Sequence, residues 1–122
     1  MAKRILIVDD EPNIVTSLDF LMKREGFEVQ VAVDGEAGVK AALASPPDLV
    51  LLDIMLPKMN GFEVCERLRA DPRCRGLKIV MLTAKGRQAD SARGLAAGAD
   101  LYVTKPFSTR ELVAQVKQLL LG

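Results

Sequence analysis

The chain has 122 residues, 49% apolar and 27% charged; that is one domain at roughly 100–200 residues per domain, with enough apolar content to bury a core, which excludes disordered and fibrous classes. Basic side chains number 17 against 16 acidic ones, a formal charge of +1, so there is no bulk basic field for nucleic acid or anionic lipid. Histidine is absent, which removes Ser/His and Cys/His hydrolases and the commonest metal ligand.

The first apolar run, Ile5-Leu6-Ile7-Val8, predicts a strand over 3–8. A helical stripe of Ile14, Leu18 and Leu21 predicts a helix over 12–25, ended by Gly26. Val29, Val31 and Val33 alternate with Gln30 and Ala32, so the strand over 28–33 is the best edge candidate. A helix over 36–44, the Pro46-Pro47 break and a fully apolar strand over 48–52 follow. Asn60-Gly61 and Ala97-Gly98 punctuate the rest, with a helix over 61–70 and strands over 78–82 and 101–104 that flank a helix over 87–97. The surest boundary is Ser108 with Glu111 three residues on, a capping box opening a last helix over 108–120. Short apolar runs alternating with helical stretches are the pattern of a parallel sheet covered on both faces, an α/β fold of five βα units forming one domain over 1–122. Every apolar run is far short of the ~20 residues that span a bilayer. Cys65 and Cys74 lack metal-site spacing, and with no signal-peptide pattern they read as reduced thiols of a cytoplasmic protein.

In an open parallel sheet, ligands bind outside the carboxyl ends of the strands. The residues there are Asp9 and Asp10 after the first strand, Asp53 after the third, Thr83 after the fourth and Lys105 followed by Pro106 after the fifth. Three converging carboxylates repel one another, so positive charge must join them. Lys105 supplies one unit, and a hard divalent cation supplies the rest. Mg²⁺ suits carboxylates with water and phosphate oxygens, and a site without His or Cys disfavours zinc. Under that arrangement an Asp can attack phosphorus to form an acyl phosphate. Asp53, alone at the end of a central strand, is the best nucleophile, and Thr83 could donate a hydrogen bond to the new phosphoryl group. Singly, each residue also reads as a turn former, cap, strand residue or solvated side chain; their coincidence at one edge favours a shared site. Neither a dinucleotide fingerprint nor a Gly-Lys-Ser/Thr phosphate loop is present, and Met55 stands where paired-aspartate phosphatases carry a second acid.

Five ordered motifs, Ile7-Val8-Asp9-Asp10-Glu11, Asp48 to Asp53, Leu56-Pro57-Lys58-Met59-Asn60-Gly61, Met81-Leu82-Thr83-Ala84 and Lys105-Pro106-Phe107, resemble the receiver domain of two-component response regulators along the whole chain. The resemblance implies a flavodoxin-like (βα)5 three-layer sandwich with a five-stranded parallel sheet in order 2-1-3-4-5. It implies that Asp53 accepts phosphate from a sensor histidine kinase or phosphotransfer protein. Mg²⁺ would be held by Asp10, Asp53 and the Met55 main-chain carbonyl, with Asp9 acting through a water. Lys105 would pair with the phosphoryl oxygens, while Thr83 and Tyr102 would form the switch. The Lys105–Pro106 bond would be cis, and Met55 and Lys85 would tune hydrolysis. The output surface would lie on the helix over 87–97, the fifth strand and the last helix. The C-terminal third is most similar to receivers of winged-helix transcription regulators, but Ser91, Leu101 and Gln115 replace residues of that subgroup's ion-paired dimer face, so a monomer or weak dimer is expected. Output would go to a downstream protein or to a C-terminal effector domain that has been removed. Two other readings are a Mg²⁺-dependent small phosphohydrolase and a pseudo-receiver that binds partners without phosphate.

Overall fold

The computed structural model describes residues 2–84, 97–105 and 107–121. In chain order these form β1 (Arg4–Val8), α1 (Pro12–Arg24), β2 (Glu28–Ala32), α2 (Gly35–Ala44), β3 (Leu49–Asp53), α3 (Gly61–Ala70), a 3-10 turn (Pro72–Cys74), β4 (Lys78–Ala84), β5 (Leu101–Lys105) and α4 (Thr109–Leu121). All strands are parallel in the order β2-β1-β3-β4-β5. The fold is the expected flavodoxin-like one, with the Val29 strand at one edge.

Strand alternation sorts the core into two layers. Leu6, Val8, Val50, Leu52, Ile79 and Met81 face α2 and α3, where they meet Val39, Phe62, Val64 and Leu68. Ile5, Ile7, Leu49, Leu51, Val80 and Leu82 face α1 and α4, where they meet Leu18, Met22, Leu112 and Val116. Burying each such aliphatic side chain contributes about 1.5–3 kcal/mol, so the sheet centre is the rigid platform that carries the polar strand ends. The expected stripe on α1 holds: Leu18 and Leu21 are buried and Ile14 packs partly against the same layer.

Helix starts follow the caps. Asp34 accepts from the Ala37 amide at 2.7 Å, Asn60 from the Glu63 amide at 3.0 Å, and Ser108 Oγ from the Glu111 amide at 3.3 Å. Ser108 therefore precedes α4, which begins one residue later than the sequence predicts. The larger differences are at strand ends. β3, β4 and β5 continue through Asp53, Ala84 and Lys105, because Asp53 pairs with Leu82, Thr83 with Thr104 and Ala84 with Lys105. Parallel pairing extends each strand beyond its apolar run, so Asp53, Thr83 and Lys105 are strand residues held by the ladder. The 3-10 turn was not anticipated; Pro72 opens it and Asp71 accepts from the Arg73 amide at 2.9 Å. The predicted helix over 87–97 lies outside the described residues except for its last position.

Candidate functional site

Asp9 follows β1 and is fully buried. Its amide donates to the Ala32 carbonyl at 3.1 Å, its Oδ1 accepts from the Glu11 amide at 3.0 Å and its Oδ2 accepts from Lys105 Nζ at 3.1 Å. Lys105 Nζ also lies 3.6 Å from Asp53 Oδ1. Asp53 ends β3 and is 8% exposed, whereas Asp10 is exposed. One carboxylate oxygen from each of Asp9, Asp10 and Asp53 falls within 4.8 Å of the others. Among the described residues, the Lys105 ammonium faces three carboxylates, more negative charge than it offsets. Burial, and next the charge of Asp9, push the Asp53 carboxyl up to about 6, against the pull of Lys105.

Thr83 is 3% exposed, and its Oγ1 has no hydrogen-bond partner among the described residues. A buried hydroxyl left without a partner costs about 1–3 kcal/mol, so an acceptor brought to this edge would be stabilised by Thr83. Thr83 lies two residues beyond Met81 and so shares its face of the sheet. Met81 pairs with Tyr102 across the β4–β5 ladder, and Tyr102 packs partly buried against the same layer. The structure therefore brings Asp9, Asp10, Asp53, Thr83 and Lys105 to one edge and puts Tyr102 diagonally beside Thr83. Lys85, Ser91 and Pro106 lie outside the described residues.

The loop from Ile54 to Asn60 leaves this edge. The Ile54 amide donates to the Leu82 carbonyl at 3.3 Å, and the Gly61 amide returns to the Ile54 carbonyl at 2.9 Å. A Cβ at Gly61 would sit 2.5 Å from the Asp53 carbonyl oxygen, so the helix can begin against the strand end only with glycine there. Met55, beside Asp53, is 60% exposed. Sequence reasoning treated Asn60-Gly61 as punctuation and gave Gly61 no part in the site; a glycine opening a helix just after a candidate nucleophile was the available signal.

Arg69 was also missed. From the end of α3 it donates to the carbonyls of Gly98 (2.9 Å), Cys74 (3.2 Å), Arg75 (3.2 Å) and Leu77 (2.7 Å) and to Asp100 Oδ2 (2.7 Å). Asp100 Oδ2 in turn accepts from the Ile79 amide at 2.8 Å. This clamp fixes the entry to β5 at the edge opposite the acidic cluster. Cys65 and Cys74 are free and buried, and burial pushes the Cys65 thiol up to about 11, away from reactive thiolate.

An all-oxygen donor set of three carboxylates fits a hard divalent cation such as Mg²⁺ and poorly fits zinc or copper. Sheet order, acidic cluster, lysine and buried threonine together define a flavodoxin-like domain of the receiver class. The chain belongs to the response regulator receiver domain family, whose model matches residues 5–117. Receivers are domains of signalling proteins, and the family binds Mg²⁺ at an acidic pocket.

Among curated relatives, the chain is 50% identical over 120 residues to the alkaline phosphatase synthesis transcriptional regulatory protein PhoP of Bacillus subtilis, covering 98% of this chain and 49% of that protein. It is 47% identical over 117 residues to the DNA-binding dual master transcriptional regulator RpaA of Synechocystis, covering 96% and 48%. The chain thus spans about half the length of these relatives, both transcriptional regulators, in line with the resemblance read from its C-terminal third. Among solved structures, the receiver domain of sensor histidine kinase PA1611 from Pseudomonas aeruginosa, with a magnesium ion coordinated in its active site cleft, matches at TM-score 0.90 and 30% identity over 98% of both chains. Chemotaxis response regulator CheY4 of Vibrio cholerae matches at TM-score 0.92 and 28% identity over 98% of this chain and 100% of its own.

Proposed function

We propose that residues 1–122 act as one phosphorylation-controlled switch in which Asp53 accepts a phosphoryl group from a sensor histidine kinase or phosphotransfer protein. The observation that carries the reading is the convergence of three carboxylates, one lysine and one orphan hydroxyl at the carboxyl edge of the sheet. An Asp53 carboxylate oxygen attacks phosphorus, an O–P bond forms, and the donor's P–N bond breaks with the electron pair leaving on the imidazole. Asp10, Asp53 and the Met55 carbonyl would hold Mg²⁺, with Asp9 reaching it through a water; bound there, the ion supplies charge neutralisation for the transferring oxygens. Lys105 is already within reach of Asp53 and would take a phosphoryl oxygen. Thr83 would donate its free O–H to another, and Tyr102 would follow it inward.

In this reading the chemistry is limited to gaining and losing one phosphoryl group. Output would pass through the face expected of the helix over 87–97 together with β5 and α4, either to a separate protein or to an effector domain of the kind its longer relatives' names imply. Leu101 and Gln115 offer no ion pairs on that surface, so a monomer or weak dimer is expected. A sensor kinase presents its phosphohistidine in the cytoplasm, which is where this chain would work.

Acetyl phosphate with Mg²⁺ should add one phosphoryl group per chain by intact-mass spectrometry, and Asp53→Asn should abolish the addition. Equal labelling of the variant would overturn the assignment. Steady release of phosphate from an exogenous phosphomonoester would instead make the protein a phosphohydrolase. Beryllofluoride, which mimics the aspartyl phosphate, should move amide signals around residues 85–107.

A further inference from the structure

The loop Ile54–Asn60 holds a backbone conformation that its own sequence does not favour. Lys58 has φ +69°, the left-handed region that non-glycine residues rarely occupy. Such a residue persists only where its surroundings over-determine it. Here the surroundings are the first turn of α2. The Gly35 amide donates to the Pro57 carbonyl at 3.4 Å, the same oxygen that accepts from the Met59 amide at 2.7 Å. Lys58 Nζ lies 3.8 Å from Asp34 Oδ2, while Asp34 caps α2 through the Ala37 amide. Gly35 also packs against the Met59 carbonyl so closely that a Cβ would overlap its oxygen and lie 2.8 Å from the carbonyl carbon. The obstructing atoms are backbone and cannot rotate away. α2 is itself fixed by Val39 and Ala42, both buried against the sheet.

Met55 lies between the two fixed points of this loop, Ile54 held by Gly61 and Pro57 held by Gly35. A carbonyl ligand has no rotamer with which to find a metal; its position is that of its backbone. Mg²⁺ demands near-octahedral geometry at roughly 2.0–2.1 Å, so a small loop displacement weakens binding. We infer that Gly35 is a positioning residue for the metal: the first turn of α2 holds the loop where the Met55 carbonyl can join Asp10 and Asp53. The inference rests on the metal site proposed above.

Mg²⁺ affinity at constant ionic strength, read by calorimetry, separates the two. Asp10→Asn tests the site: if the unaltered protein binds no Mg²⁺, or the variant binds it as well, the metal reading fails and this inference with it. Gly35→Ala tests the positioning. Alanine is a better helix former than glycine, so weakened binding cannot be ascribed to a poorer helix. The dissociation constant should rise about tenfold, the lower end of the cost of disturbing groups that orient metal ligands. Val116→Ala, in the opposite layer, should lower the melting temperature and leave the affinity unchanged. An affinity of Gly35→Ala within twofold of the unaltered protein, or an equal loss in Val116→Ala, overturns the inference. If Gly35→Ala does not fold, linkage supplies a test on the unaltered protein: saturating Mg²⁺ should slow hydrogen exchange at the Gly35 amide, and an unchanged rate overturns the inference as well.

Discussion

Replacing Asp53 with Asn isolates the electrostatic cost of the acidic edge. Asp53 is held at about 6 in the folded protein against 3.8 for an ordinary carboxyl, through burial first and the charge of Asp9 second. The folded state therefore binds the Asp53 proton more tightly than the unfolded chain does. Below pH 3.8 the group costs nothing; as pH rises through 6 the folded protein must ionise a buried acid, and the penalty is complete above that. At ~1.36 kcal/mol per pH unit of pKa difference, it amounts to on the order of 3 kcal/mol. Asn keeps the shape without the charge. In EDTA at pH 7.5, Asp53→Asn should be more stable by about this amount, a rise of roughly 10 °C in melting temperature for a domain of this size. At pH 4.5, between the two values, the advantage should shrink to about 1 kcal/mol. Urea titrations followed by far-UV circular dichroism suit a chain with no Trp. A variant no more stable than the parent at pH 7.5, or an advantage that does not change between pH 4.5 and 7.5, would refute the reasoning.

Asp10→Asn should also stabilise the metal-free protein, by about 1 kcal/mol because the exposed carboxylate is better screened, and should shrink the stabilisation gained from added Mg²⁺; a lower melting point with an unchanged metal response would make Asp10 a cap. Arg69→Met should cost about 2–4 kcal/mol in urea unfolding, since it leaves the Asp100 carboxylate without its cation and removes the guanidinium donor from four carbonyls; a loss under about 1 kcal/mol would show that the clamp is dispensable. Met55→Asn combined with Lys85→Glu should speed loss of the phosphoryl group, because amide and carboxylate side chains can orient an attacking water where Met cannot; equal decay of labelled parent and variant after rapid desalting would show that neither side chain controls water access.

Asp53, Thr83 and Lys105 were legible in the sequence because each is a polar residue ending an apolar run, and in a parallel sheet all such ends fall on one edge. Their strand membership was not, because a strand's last residue is decided by its neighbour's register: Lys105 is strand only because Ala84 pairs with it. The cap at Ser108 was legible because its partner, Glu111, is three residues away. Arg69 on a helix reads as a solvated charge until Gly98 and Asp100, about thirty positions on, come round to meet it. The contact between Gly35 and the Met59 carbonyl is harder still, since neither residue carries chemistry that would single it out and only the packing of α2 beside α3 brings them together.

The two edges of the sheet are finished to different degrees, and that difference gives a direction to the proposed signal. At the amino-terminal edge, Arg69 and Asp100 satisfy the backbone around Leu77, Ile79 and Gly98, so the start of β5 is pinned. At the carboxyl edge, among the described residues, the Thr83 hydroxyl has no partner and three carboxylates face the one ammonium of Lys105. β5 spans five residues between them, about 13 Å at 3.3 Å per residue. A phosphoryl group on Asp53 would add an acceptor at the unfinished end alone. Moving Thr83 toward that acceptor changes the face it shares with Thr104 and Tyr102 while the clamped end stays fixed. The rearrangement should therefore hinge near Asp100 and grow toward Lys105, so amide shifts on beryllofluoride binding should increase along β5 from Leu101 to Lys105. Uniform shifts along the strand, or the largest at Leu101, would place the pivot elsewhere.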